Sequence, residues 1–351
     1  MEALINSLQG HFLSLLGYGM DPSRRVYLVY LAGSLVLVLV WMAVAAARHQ
    51  GAQAMDLWHR LTSPRIWWHP SARLDYQLLA INPLIRGLLM GFLGISLVPI
   101  ALATTDGLDA LIGTANLNWS GVQITAAYTL ALFIADDFTR FLLHYLMHRV
   151  PWLWSIHRLH HSAEVMTPFT VYRIHPLESL LYSLRMIATQ GVILGVFFYG
   201  FGMNLTVWEI AGANLFTYLF NLAGANLRHS HVWISWGPWL EQIFISPAQH
   251  QIHHSNDPVH FDRNMGAFLA IWDRLFGTLE TAKGQTVTAF GLTRGKPSPH
   301  TSLLRAYWEP CSHGLGIIWR LRTCFQSVIS KSYCKSFAFK LFLRSVTQKR
   351  S

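Results

Sequence analysis

Residues 26–47 run for 22 positions without one charged side chain. About 20 apolar residues in a helix match the hydrocarbon thickness of a bilayer, so this run constrains the fold more than any other feature. Leu84–Ala103 is a second such run, with Arg86 near its start, where it can snorkel to the interface. Val122–Ala135 is apolar but short and continues into Asp136-Asp137, where the helix is expected to leave the bilayer. Met186–Met203 and Thr206–Leu227 follow, joined by a tight turn at 200–204. The pattern predicts an all-α multi-pass membrane protein with about five transmembrane helices. A signal peptide is not expected, because the first 20 residues lack a basic segment and no clean small-residue cleavage site follows Ala47.

Composition supports a membrane setting. Charged residues are 13% of the 351, against about 25% in soluble domains, and hydrophobic residues are 52%. These values exclude an ordinary soluble domain and a disordered chain. The formal charge is +10. In a chain this apolar a basic excess marks cytoplasmic loops rather than a nucleic-acid partner. Segment 48–83 carries Arg48, Arg60, Arg65 and Arg73, and segment 140–185 carries Arg140, Arg149, Arg158, Arg173 and Arg185. Segment 104–121 and the 200–205 turn carry no Lys or Arg. The positive-inside rule then puts the N-terminus outside, and the basic loops and the C-terminus in the cytoplasm. Arg24 and Arg25 run against that assignment.

The chain has 18 His, more than its 17 Asp and Glu. His144 and His148 are four apart; His157, His160 and His161 form a His-x-x-His-His triplet; His250, His253 and His254 repeat it. Residues i, i+3 and i+4 share a helix face, so each cluster is expected to aim its imidazoles in one direction. Pro151 opens the first triplet's helix, and Ser246-Pro247 supplies a cap and first-turn Pro for the second. Eight imidazoles gathered without a metal leave polar groups unpaired at roughly 1–3 kcal/mol each. Imidazole suits Zn, Cu, Fe or Ni, and a single metal closes with about four ligands, so at least two metals are implied. All three clusters fall in loops assigned to one face from Arg positions alone. His229 enters the same layer as a ninth candidate, and His175 is a weaker tenth. His231 is a still weaker candidate. His11, His49, His59, His69, His260, His300 and His313 are isolated and expected at the surface or interface.

Residues 135–280 resemble the membrane-bound fatty acid hydroxylase / sterol desaturase superfamily. The matching strings begin with His144-Tyr-Leu-Met-His148, His157-Arg-Leu-His160-His161 and Arg173-Ile-His175-Pro176-Leu-Glu178. They close with His250-Gln-Ile-His253-His254 and Trp272-Asp273-Arg274-Leu275-Phe276-Gly277-Thr278. The resemblance implies a cytoplasmic helical cap holding two iron ions, with O2 as co-substrate, and hydroxylation or desaturation of a membrane lipid. Carried over by position, His144, His148, His157, His160, His161, His229, His250, His253 and His254 are the implied iron ligands. Some members have a His where Ala225 stands, so a tenth ligand would be His175 or water. Asp136, Asp137, Glu178 and Asp273 are candidates to hold ligand imidazoles by their second N–H. Trp272 and Phe276 are expected to pack the cap and Gly277 to permit a turn. Electrons are expected from an external reductase or small carrier, since the sequence carries no dinucleotide fingerprint or iron–sulfur motif. A bacterial inner membrane and the endoplasmic reticulum both suit such a protein.

The competing reading is a non-catalytic or metal-handling His-rich membrane protein. A transporter would carry ionisable residues within its spans, where only Arg86 and Glu209 stand, near the ends. The expected organisation is an N-terminal transmembrane region at 1–121, a catalytic region at 122–285 and a basic tail at 286–351. Residues 305–351 hold nine Lys/Arg against the one acid Glu309, so the body is nearly neutral. Apolar residues interleaved with that charge suggest an interfacial helix on anionic lipid. Cys311, Cys324 and Cys334 all lie in this tail and match neither a disulfide framework nor a zinc ribbon.

Overall fold

A computed structural model describes residues 17–47, 51–115, 117–202, 205–210, 213–293 and 295–314, with positions 10, 15 and 316. The described chain is helical apart from one hairpin of two-residue strands, β1 (Glu209–Ile210) and β2 (Ala213–Asn214), paired antiparallel. The helices that frame the molecule are α1 (Leu28–Ala47), α2 (Gly51–Thr62), α3 (Pro70–Leu93), α4 (Val98–Ile112) and α5 (Gly121–Arg149). They continue with α6 (Pro151–His161), α7 (Pro176–Phe201), α8 (Leu215–Leu222), α9 (Pro247–His253) and α10 (Ile271–Leu275).

Among the described residues α3 and α7 are long and apolar enough to cross a membrane, and α1 is a shorter apolar helix. A core helix of a soluble protein would have that composition but would be mostly buried. Here only 11% and 17% of the apolar windows of α3 and α7 are buried, so their hydrophobic surface faces outward. α7 packs against α4 and α5. Gly191 and Gly195 permit the close approach to α4, since a Cβ at either would collide with Ile100 or with Ala101 and Thr104.

The expected spans map unevenly onto these helices. The run 84–103 is divided, because Gly94 ends α3 in the left-handed region at φ +58° and Pro99 sits in the first turn of α4. The helix of the third run continues past the Asp pair. α5 continues unbroken for 29 residues, about 43 Å, and carries the apolar stretch and the first histidine pair on one rod. Its start is fixed by a capping box between Ser120 and Gln123. The fifth run is not one long helix. It comprises the hairpin, then α8, capped by the Asn214 side chain and stopped before Gly224 at φ +88°, then a 3-10 turn at Ala225–His229.

Part of the segment after 286 packs on the body. Residues 303–314 are helical, and Leu303, Ala306 and Tyr307 pack with Leu74, Leu78 and Leu159. Cys311 is a free thiol. Residues 317–351, with Cys324, Cys334 and most of the basic tail, lie outside the described residues, as do His11 and His49.

Candidate metal centre

Four elements carry the nine clustered histidines. α5 presents His144 and His148, and α6 presents His157, His160 and His161. The 3-10 turn at 225–229 ends on His229, and α9 with its cap brings His250, His253 and His254. α6 starts on Pro151, and α9 starts on Pro247 behind a capping box of Ser246 and Gln249, as the sequence signals require. All nine are buried, with 1–9% of each residue exposed.

The histidines form two groups rather than one. His144, His148, His157, His161 and His253 place one ring nitrogen each within 4.8 Å of the others, and His160, His229, His250 and His254 do the same. Each triplet is divided between the groups. On a helix the i+4 side chain turns about 40° one way from residue i, and the i+3 side chain about 60° the other way. His157 and His161 therefore face the first group while His160 faces the second. The second triplet does the reverse, with His253 in the first group and His250 and His254 in the second. The two groups abut: the rings of His161 and His254 stack at 4.6 Å, and the ring of His160 lies 4.6 Å from that of His254.

The hydrogen bonds fix which nitrogens face inward. His144 Nδ1 lies 2.7 Å from the Met265 carbonyl, His253 Nδ1 2.7 Å from the Arg263 carbonyl, and His157 Nδ1 2.9 Å from Glu178 Oε1. His148 Nδ1 faces Asp262 Oδ1 at 3.3 Å. Each of these oxygens accepts, so each Nδ1 carries the hydrogen and each Nε2 keeps its lone pair. His144 Nε2 and His157 Nε2 then stand 3.0 Å apart with lone pairs facing, an arrangement that repels unless a cation lies against both. In the second group His250 Nε2 and His229 Nε2 are also 3.0 Å apart. His161 Nε2, His254 Nε2, His160 Nδ1 and His250 Nδ1 are buried without a hydrogen-bond partner. The donor set is nitrogen only, converging and acceptor-rich, and it fits two metal ions of the imidazole-binding class.

The acids sit differently from expectation. Glu178 holds His157 directly. Asp137 and Asp273 lie one contact further out. Asp137 accepts the amides of Phe268 and Leu269 and the indole N–H of Trp272. Asp273 accepts the amides of Met265 and Gly266 and the Thr278 hydroxyl. Together they hold the loop whose Met265 carbonyl receives His144. Burial pushes the Asp273 carboxyl up to about 6, against the pull of those donors. Asp136 touches no imidazole and pairs with Arg140 and Arg185. Asp262, which faces His148, was not singled out by its sequence context. The loop it opens is held in unusual backbone geometry, with Asp262 at φ +60° and Asn264 at φ +54°, each costing about 1 kcal/mol.

His175 joins neither group. Its Nδ1 accepts from the Leu177 amide as the cap of α7, and its Nε2 donates to the Tyr307 carbonyl at 3.1 Å. His231 Nε2 accepts from the Met166 amide. His260 and His300 are buried rather than at the surface: His260 lies between Ser255 and Gln285, and His300 pairs with Glu309 at 2.7 Å. Gly277 adopts φ +71°, and Phe276 packs on Phe141 and Tyr145 as expected.

Burial first, and neighbouring charge second, hold His160, His161, His229, His250 and His254 well below the ordinary imidazole range. Their native pKa values lie below the unfolded value near 6.5, so the unfolded chain binds more protons in that window. Stability is then fully present above pH 6.5 and is lost as pH falls below it. The metal-free protein is expected to unfold at progressively lower temperature from pH 7 to pH 5 in detergent, and a flat profile would contradict this.

Residues 129–278 match the family model described as fatty acid hydroxylase. The alkylglycerol monooxygenase of Homo sapiens is 29% identical over 161 residues, covering 46% of this chain and 32% of that protein. The ornithine lipid hydroxylase OlsE of Rhizobium tropici is 33% identical over 164 residues, covering 47% and 45%. The Delta(7)-sterol 5(6)-desaturase of Eremothecium gossypii is 27% identical over 187 residues, covering 53% and 47%. The chain thus spans between about a third and a half of the length of these relatives. No solved structure matches it. The family match begins within α5, ends beyond α10 and encloses all nine grouped histidines, so residues 129–278 carry a fatty acid hydroxylase domain, and the relatives it resembles are hydroxylases and desaturases of one superfamily.

Proposed function

We propose that the chain is an O2-dependent oxidoreductase that uses two iron ions to hydroxylate or desaturate a membrane lipid. One observation carries this reading: two abutting groups of buried imidazoles, one of five residues and one of four, with four lone pairs of the first group turned inward. His144, His148, His157, His161 and His253 would hold one ion, and His160, His229, His250 and His254 the other. A bound iron pair supplies the redox chemistry with O2 that an unactivated C–H bond requires, because acid–base side chains have no acidic proton to remove there.

The chain's own residues orient and enclose. Glu178, Asp262 and the carbonyls of Arg263 and Met265 fix the tautomers of four imidazoles, which points their lone pairs before any ion arrives. Asp137 and Asp273 lock the loop that supplies the Met265 carbonyl. Trp154, against His148 and His161, keeps an apolar wall on the first group.

The outward-facing apolar surfaces of α3 and α7 would seat the protein in a bilayer, with the histidine groups on the cytoplasmic face. A bacterial inner membrane and the endoplasmic reticulum both suit that placement. The lipid would reach the site from the membrane side, and electrons would come from a separate reductase or carrier. The names of the relatives, which include an alkylglycerol monooxygenase, a lipid hydroxylase and a sterol desaturase, support lipid oxidation as the activity.

Comparative lipid mass spectrometry of cells with and without the chain tests the reaction. One lipid class is expected to gain a species at about +16 mass units for hydroxylation or −2 for desaturation. Identical lipid profiles under aeration would contradict the reading.

A further inference from the structure

Four guanidinium groups gather in the layer where apolar helices give way to the histidine-bearing elements. Arg25 precedes α1, Arg140 follows the apolar part of α5, Arg185 lies in α7, and Arg228 immediately precedes His229. The guanidinium carbons of Arg25 and Arg140 lie 5.2 Å and 6.0 Å from the centre of the Phe268 ring. Arg228 lies 5.3 Å from the Phe220 ring, which meets Phe268 edge-on at 4.7 Å.

Fewer acids face them. Asp136 is shared between Arg140 at 2.9 Å and Arg185 at 2.8 Å. Both oxygens of Asp137 are occupied by the amides of Phe268 and Leu269 and by the Trp272 indole. Among the described residues no carboxylate oxygen lies within 4 Å of Arg25 or Arg228. Arg25 donates to the Asn221 side-chain oxygen, and Arg228 donates to the carbonyls of Ala225 and Ala267. Four cations against two carboxylates leave two positive charges without a counter-charge. Arginine does not shed its proton to relieve this, and Arg25, Arg140 and Arg228 oppose one another electrostatically. Such a cluster in a mostly apolar setting calls for an anion. The forked guanidinium geometry suits an oxyanion; Arg25 and Arg140 are half-buried and can receive one from outside, while Arg228 is buried behind them.

We propose that Arg25, Arg140 and Arg228 form a subsite for the phosphate group of the lipid substrate, making the chain selective for a phosphate-bearing lipid over a neutral one. On the membrane placement proposed above the subsite would lie at the level of a lipid headgroup, and Arg228 adjoins His229 of the second metal group. Its purpose rests on the lipid-oxidation reading above, while its existence rests on the charge imbalance.

The test uses the full metal-loaded chain in detergent, with lipid binding followed by thermal unfolding and native mass spectrometry. The probes are phosphatidylglycerol, diacylglycerol with the same acyl chains, and inorganic phosphate alone. Phosphatidylglycerol is expected to bind at least about tenfold more tightly than diacylglycerol. Inorganic phosphate in excess is expected to erase that preference while binding more weakly than the lipid. Arg25→Gln is expected to lose the preference and Arg25→Lys to keep most of it. Equal binding of the two lipids by the unsubstituted chain would overturn the proposal, and that comparison decides the matter even if Arg25→Gln does not fold. An unchanged preference in folded Arg25→Gln would also overturn it. Inorganic phosphate binding as tightly as phosphatidylglycerol would overturn the lipid assignment. Metal content measured on the same samples separates the two claims. Metal without a headgroup preference removes the subsite alone, and a preference without metal removes the oxidation reading alone.

Discussion

Replacing His160 by alanine is expected to lower lipid oxidation by at least about a thousandfold, since removing even a partner of a ligand costs about 10–100-fold. The second group has four histidines, so the loss leaves His229, His250 and His254. The first group keeps all five of its members. Metal content is therefore expected to fall from about two ions per chain to about one, because three imidazoles on a buried wall close the second site poorly. α6 retains its Pro151 start and its contacts with α5 and α7, so the chain should still reach the membrane fraction. Turnover, metal per chain and membrane recovery measured together check this. Full activity in His160→Ala would remove that residue from the ligand set, and loss of the protein from the membrane would shift its role to folding.

Arg173→Ala is expected to destabilise the protein by about 3–5 kcal/mol, the cost of breaking a buried ion pair by removing one partner. Arg173 and Asp75 side chains are both wholly buried and paired at 2.9 Å. The same guanidinium donates to the Leu159 carbonyl and to the Ser162 hydroxyl, at the end of the helix that carries the first triplet. It also reaches the Ser71 carbonyl at the start of α3. One side chain thus ties an outward-facing apolar helix to the end of a metal-binding one. Alanine would leave the buried Asp75 carboxylate without its cation. Thermal unfolding in detergent measures the effect, and a change below about 1 kcal/mol would contradict the assigned role.

Much of the site was legible in the sequence because it depends on short spacings. The i, i+4 pair His144/His148 and the two triplets need only helical periodicity, and Pro151 and Ser246-Pro247 mark where their helices start. The partition into two groups was less legible, although the opposite rotations of i+3 and i+4 contain it. The contacts of Asp262, Arg263 and Met265 depend on a loop more than 100 residues from His144 and His148, held at positive φ by non-glycine residues, and no local pattern announces such a contact. Asp137 and Asp273 were recognised as relevant, but beside the Trp272 indole and the Thr278 hydroxyl most of their donors are backbone amides, which carry no sequence signature.

The fold was legible to the same degree. Apolar length alone locates α1, α5 and α7, but it does not register Gly94 or Gly224 as helix stops inside apolar runs. Arg24 and Arg25 conflicted with a topology drawn from loop charges. Arg25 now stands beside Phe268 and Asn221, in the same layer as Arg140 and Arg228, so its charge has a place among the residues flanking the metal groups.

The central claim is that the nine grouped histidines hold two metal ions. Elemental analysis of the detergent-purified full chain, expressed with iron in excess, tests it most directly. The expected result is about two iron ions per chain, set by nine imidazoles in groups of five and four. A chain that is folded, recovered from the membrane and free of iron and of every other transition metal would contradict it.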